Sequence, residues 1–261
     1  MLPRTDLLAG SHHPERLGMV IDTAERALRT WQPQWTGFLE GAVLEEAMAR
    51  LGALAELELR AVGGHPGAER CRLLLRRRDA EVEPAATDAA LQGLSLSGNF
   101  LFDPADPDDF RAALVRHGWP EDAIGDLWLR GDRGAQAIVA AEAPWPASGL
   151  TLEMRSVSVS CERLSLAQLQ PPARRQARQL HTVEASTRLD AVASAGFGIS
   201  RNRMVTLIRN GAVRLNWAVT TRPGQELQAG DRVQLSGRGE LQVGTITATK
   251  RDRWRIALVR Q

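Results

Sequence analysis

Cysteine is nearly absent from this chain: Cys71 and Cys161 are the only two in 261 residues. Neither has a second Cys or a His nearby at ligand spacing, so a disulfide scaffold and a zinc module are excluded as organising devices, and no metal or cofactor is expected. His12-His13 has no third ligand close by and reads as the surface start of a helix. Long apolar runs are missing too. No stretch approaches the roughly 20 residues needed to span a bilayer, and no basic stretch followed by an apolar core opens the chain. The expectation is a cytoplasmic protein without membrane insertion. Lysine is reduced to Lys250. A GC-rich genome would give the same preference for arginine, so that bias by itself is not a binding signal. The turn GGHPGAER at 63–70 lacks the GK[ST] ending of a phosphate-binding loop and the spacing of a dinucleotide fingerprint. What is present is an ordinary apolar share of 43%, which predicts a packed core.

Charge is placed unevenly. The whole chain carries +2, from 33 basic and 31 acidic residues. Residues 173–261 hold sixteen Lys and Arg against six Asp and Glu, or +10, which leaves 33−16=17 basic and 31−6=25 acidic residues, or −8, for the rest. A basic segment carried by an acidic body points to a polyanionic partner.

Taken in order, helical spacing runs over 17–31 and 44–57. WTGFL at 35–39 reads as a turn with aromatic anchors. Alternation predicts strands over 57–62 and 72–78 on either side of the 63–70 turn, where His65 reads as a surface turn residue. Arg76, Arg77 and Arg78 adjoin acidic residues and read as a solvated strand edge, with a nucleic-acid patch as the alternative. A Pro/Ala-rich loop covers 82–89. A strand, a helix at 106–117, two strands around the turn at 130–134 and a closing strand over 152–164 follow. Asp126 and Asp132 read as strand-end and turn residues. The sum is an α+β chain with an antiparallel sheet. Pro171-Pro172 and the basic RRQAR at 174–178 mark a boundary.

The most informative stretch is 187–217, TRLDAVASAGFGISRNRMVTLIRNGAVRLNW. Thr187 and Asp190 have capping-box spacing for a helix that ends at Gly196 and Gly198. Ser200 caps a second helix with Met204, Leu207 and Ile208 on one face and Asn202, Thr206 and Arg209 on the other. A strand follows, and Gly230-Asp231 makes a later turn. The ordered set RLD, SR, LIRNG, VRLN and GD resembles the S-four RNA-binding domain. Trp217 departs from it, standing where many such domains have glycine. The candidate RNA-binding residues are Arg188, Ser200, Arg201, Arg203, Arg209, Asn210, Arg214, Asn216 and Arg222.

TGFL at 36–39, GGHPGAER, SGNFLFDP at 97–104 and IGDLWLRGDRGAQAIV at 124–139, together with that module, resemble the YlmH family over nearly the whole chain. Gly37 replaces an Asp common in that family. The resemblance looks closest to a cyanobacterial branch with a photosystem II label. It implies a helical N-terminal region (1–56), a central ferredoxin-like or RRM-like antiparallel sheet domain (57–165), a linker (166–184) and a C-terminal S-four domain of αL type with extra strands (185–261). It further implies a non-catalytic RNA-binding protein, associated with the large ribosomal subunit, ribosomal RNA and tRNA in the rescue of stalled translation. The alternative is an RNA-modifying enzyme, of pseudouridine synthase or methyltransferase type, that carries an S-four module. A pseudouridine synthase is expected to place its catalytic domain after the module, where about 25 residues follow Gly237, and a methyltransferase is expected to have a Gly-rich cofactor loop after a strand, which no stretch fits. Asp190 therefore reads as a helix-cap or fold residue.

Overall fold

A computed structural model of the chain describes residues 2–80, 89–145, 150–173, 177–235 and 238–261. All but Ala89 of the loop expected at 82–89, Arg174 and Arg175 of the basic stretch, and Gly237 of a hairpin turn expected at 237–239 lie outside the described residues. The chain divides into two units, Met1–Ala173 and Arg174–Gln261.

In the first unit, α1 (Arg4–Leu8) precedes α2 (Pro14–Thr30). Pro14 opens α2 where a missing N–H costs nothing, and Leu17, Val20, Ile21, Ala24 and Ala27 form its buried stripe. Three strands follow around α3 (Gly41–Leu51): β1 (Gln34–Leu39), β2 (Leu57–Val62) and β3 (Cys71–Arg77). They form one antiparallel sheet in the order β1-β3-β2. Two sequence expectations are corrected here. WTGFL is strand, bulged between Trp35 and Phe38, and the buried Thr36 hydroxyl oxygen accepts from the Leu73 amide. The strands after residue 57 belong with the N-terminal helices, because Leu57, Leu73 and Leu75 are buried in one core with Leu17, Ile21 and Leu51.

The second sheet contains β4 (Leu91–Ser97), β5 (Ile124–Leu129), β6 (Gly134–Ala140), β7 (Leu150–Met154) and β8 (Val157–Leu164), in the order β5-β6-β4-β8-β7. Helix α4 (Pro107–Arg116) lies between β4 and β5, with a capping box at Asp106 and Asp109 and with Phe110, Ala113 and Leu114 buried. The segment β5-β6-β4-β8 has ferredoxin-like strand order. The hairpin partner β7 lies at the edge, in the sequence interval where that plan has its second helix. The stretch read as one closing strand is thus a hairpin, turning at Arg155 with φ 54°. Both cysteines are buried. Burial, with a smaller contribution from the Asp126 charge, pushes the Cys71 thiol up to about 11, and burial alone pushes Cys161 up to about 12.

The second unit opens with β9 (Arg178–Glu184) and continues through α5 (Leu189–Phe197), α6 (Arg201–Arg209), β10 (Val213–Leu215), β11 (Ala218–Val219), β12 (Arg232–Leu235), β13 (Gly239–Ala248) and β14 (Trp254–Arg260). The sheet order is β11-β10-β12-β13-β14-β9. The expected linker is therefore largely built structure. Leu169 is buried in the core of the second sheet, and β9 pairs with β14 from Trp254↔Glu184 to Arg260↔Arg178. Long-range pairing satisfies the backbone groups that a solvated linker would give to water. Among the described residues, no helix is long and apolar enough to cross a membrane.

Candidate nucleic-acid interface

The site is built on the two short helices of the second unit. Leu189, Val192, Ala193 and Phe197 of α5 and Met204 and Ile208 of α6 share a core with Val213, Val233, Leu241, Ile256 and Leu258. Gly196 lets α5 lie against β13, since a Cβ there would sit 2.4 Å from Leu241 Cδ2. Gly198 ends the helix in the left-handed region at φ 66°, a conformation glycine adopts without steric cost. Ser200 then caps α6, its hydroxyl oxygen accepting from the Arg203 amide at 3.4 Å. Ile199, just before the cap, packs against the same core, so the cap fixes the angle at which α6 leaves the loop.

Asp190 is the centre of the arrangement, and it does not complete a capping box. The N-cap of α5 is Arg188, which has no side-chain cap bond. The extended backbone persists through Arg188, which bridges Glu226, while the Thr187 carbonyl accepts from Leu227. Asp190 instead receives two arginines. Arg188 donates Nε and Nη2 at 3.0 and 3.1 Å. Arg201 donates the same pair at 3.1 and 3.2 Å, and the Ala191 amide adds a fifth bond at 3.0 Å. The carboxylate is 4% exposed, whereas Arg188 and Arg201 are 43% and 53% exposed. Burial alone would raise the Asp190 pKa. The hydrogen bonds from Arg188 and Arg201, with their charges, reverse that and hold it below the usual carboxylate value. Each guanidinium gives two of its five N–H groups to Asp190, which leaves three that Asp190 does not take. Bidentate pairing also fixes the plane in which those three point.

The other expected residues spread from this pair. Arg203 and Arg209 are exposed on α6 with Asn202 and Thr206, and Asn210 is exposed just past its end. Eight residues separate Arg201 from Arg209, about 12 Å along the helix axis at 1.5 Å per residue. Arg222 is exposed in the loop whose Pro223 carbonyl accepts from the Asp190 amide, which brings that loop to the start of α5. Arg214 is exposed on β10. Asn216 is committed internally: its Nδ2 donates to Asp231 at 2.8 Å and its Oδ1 accepts from the Arg232 amide at 2.9 Å. It joins the hairpin to the Gly230-Asp231 turn. The RLD and SR spacings were the visible signal for the arginine pair, but their meeting on one carboxylate is a tertiary contact.

The three consecutive arginines at the end of β3 are engaged with protein groups. Arg76 pairs with Glu58 at 2.8 Å, Arg77 pairs with Asp79 and lies over the Trp31 ring, and Arg78 donates to the carbonyls of Ala55 and Leu57. His65, expected at the surface, is largely buried, with Nε2 2.9 Å from Asp126. Asp126 also accepts from the amides of Glu69 and Arg70. It therefore clips the 63–70 turn onto β5.

Comparison with known proteins follows the same division. The family model described as YlmH, N-terminal, matches residues 12–80, and the S4 domain model matches residues 187–233. The chain is similar to the ribosome-associated protein quality control protein P2 of Bacillus subtilis (strain 168), with 32% identity over 209 residues, covering 79% of this chain and 79% of that protein. Among solved structures, the cell division protein ylmH from Streptococcus pneumoniae superposes with a TM-score of 0.44 at 15% identity, covering 60% of this chain and 93% of that one.

Proposed function

Since the chain belongs to the YlmH family of S4-domain proteins, we propose that it is a non-catalytic RNA-binding protein that works on the ribosome. Its RNA is structured ribosomal RNA, tRNA or both, held by the arginines around Asp190 and along α6. The relative's printed name supports association with the ribosome. Action at the large subunit, in the cytoplasm and in quality control of translation extends that reading to this chain. A cyanobacterial origin and a connection to photosystem II rest on resemblance alone.

One observation carries the proposal: a buried carboxylate holds Arg188 and Arg201 half in water beside an exposed helix face bearing Arg203 and Arg209. Phosphates are bound by such forks, and folded RNA is read largely through backbone shape and 2′-OH contacts. The same burial supports a non-catalytic role for Asp190. Both of its oxygens are engaged, so it is not presented as a nucleophile.

A salt titration of binding to ribosomal RNA fragments and tRNA tests the proposal. The observed constant is expected to fall steeply with salt, and Arg203→Ala/Arg209→Ala is expected to flatten the logarithmic slope by about two, close to one per lost phosphate contact. A wild-type protein with no measurable RNA affinity, or a double variant with unchanged slope and affinity, would remove the interface from consideration.

A further inference from the structure

Residues 250–255 read KRDRWR, and every one of them is exposed. They make the tip and the start of the return strand of the β13–β14 hairpin. The turn is built: the Thr249 amide donates to the Arg253 carbonyl at 2.7 Å, and the Arg253 amide donates to the Thr249 hydroxyl oxygen at 3.2 Å. Asp252 takes the left-handed conformation at φ 51°, which aspartate tolerates better than most residues. The single acid of the tip thus suits the backbone. The four cations, Lys250, Arg251, Arg253 and Arg255, have no such role. Among the described residues, none offers these side chains a hydrogen bond or an ion pair, whereas Arg76 and Arg77 at the end of β3 meet Glu58 and Asp79. Glu184, the acid on the neighbouring strand, accepts from Thr182 instead. Like charges crowded on one turn repel one another, and a polyanion relieves that repulsion.

Pairing places the tip. Strand β12 meets β13 only at 239–242, and β9 ends at Glu184, opposite Trp254. Residues 249–253 therefore project beyond the last rungs of the sheet, Ala248↔Trp254 and Trp254↔Glu184. Glu184 also links the tip to the Asp190 arrangement, because Arg188 follows it by four residues. Four residues span at most about 14 Å, and antiparallel pairing sets Trp254 about 5 Å from Glu184. The Cα atoms of Arg188 and Trp254 thus lie within about 20 Å, close enough for one folded RNA to meet both.

Resting on the RNA-binding reading above, we propose that this tip is a second phosphate-binding site, where Lys250, Arg251, Arg253 and Arg255 hold the backbone of the RNA that meets Arg188 and Arg201. It adds affinity without reading bases, since phosphate contacts carry no sequence information directly.

The test uses the full chain with the ribosomal RNA fragments, tRNA and salt titration described above. Lys250→Gln/Arg251→Gln/Arg253→Gln/Arg255→Gln removes the tip charge, and Arg251→Lys/Arg253→Lys/Arg255→Lys keeps it. Arg26→Gln/Arg29→Gln/Arg60→Gln/Arg116→Gln, at exposed positions of the first unit, takes the same net charge from elsewhere. The logarithmic slope is expected to flatten by roughly three to four for the tip glutamines, about 0.9 per lost phosphate contact. The lysine variant and the first-unit variant should each stay within about one of the wild-type slope, and neither tip variant should change the melting temperature. Wild-type slope and affinity in the tip glutamines, while Arg203→Ala/Arg209→Ala still weakens binding, overturns the inference and leaves the RNA-binding reading intact. Equal flattening in the first-unit variant would make net charge responsible, and a lowered melting temperature would give the tip cations a part in the fold. Either result overturns the inference. Tip-dependent binding to anionic phospholipid vesicles, with RNA affinity unchanged, would assign the tip to a lipid surface and overturn it as well. A wild type that binds none of the RNAs ends both readings together.

Discussion

Arg201 reaches back eleven residues to Asp190, placing Nε and Nη2 at 3.1 and 3.2 Å from the two carboxylate oxygens. A residue read from sequence as a free phosphate contact is therefore also part of what joins α5 to α6. Arg201→Ala is expected to lose about 1 kcal/mol of stability, a charge-assisted bond discounted because half of the side chain is in water. Urea unfolding measures this. RNA affinity should fall with it, and a binding loss without any stability loss would show that the pairing contributes nothing to the fold.

Asp190→Asn separates charge from geometry. The variant adds one unit of positive charge to the module, which by simple electrostatics should tighten RNA binding. Loss of the fork that orients both guanidiniums should weaken it instead, and unfolding should become easier by about 1–3 kcal/mol, the range for a charged hydrogen-bonded group. Tighter binding by the asparagine variant would mean that the arginines need no orientation.

Acid should act through the same carboxylate. The folded-state pKa of Asp190 is lowered, so the native state releases its proton more readily than the unfolded chain does. The stabilisation is present above the unfolded value, about 3.9, and is lost as pH falls through the folded one. Melting temperatures of wild type and Asp190→Asn measured from pH 7 downward are expected to converge below about pH 4. A constant gap across that range would contradict the assignment.

Arg72 is 3% exposed and donates to the Thr36 carbonyl at 2.7 Å, to the Ala90 carbonyl at 2.9 Å and to Glu142. Glu142 is 65% exposed and can return to water, but Arg72→Ala strands the two buried carbonyls and should destabilise the first unit by about 1–3 kcal/mol for each. Arg76→Ala, on the same strand but paired with a Glu58 that is 38% exposed, should cost under about 1 kcal/mol. Denaturant midpoints of the two variants should differ widely.

A fragment beginning at Arg174 should fold alone and keep most of the RNA affinity. One beginning at residue 185 lacks β9, leaves β14 as a bare edge and uncovers Leu180's place beside the core. It should melt lower and associate with itself more readily. Equal melting temperatures for the two would show that β9 is dispensable.

The helices of the second unit were legible because their signals are local. Met204 and Ile208 repeat at helical spacing, Ser200 is a cap, and Gly198 is a stop. The first-unit strand at 34–39 was hidden by a bulge, with Thr36 and Gly37 breaking the alternation. The strand at 178–184 was hidden by distance: RQLHTVE follows a proline-rich boundary, and its partner lies some seventy residues later. Asp190 shows the limit most sharply. Its spacing from Thr187 is that of a capping box, and only the folded chain reveals that Arg188 and Arg201 reach the carboxylate instead. The +10 segment and the RLD and SR pieces located the candidate surface, but not which of its side chains are occupied by the fold, as Asn216 is.

The two buried thiols have a practical consequence. With pKa values near 11 and 12, Cys71 and Cys161 hold almost no thiolate at neutral pH, and the thiolate is the species that attacks. A maleimide dye should pass over both in the folded protein. A cysteine engineered into an exposed loop would then be the single reactive handle, and a fluorophore placed there could follow the chain's encounter with RNA without first removing either native sulfur.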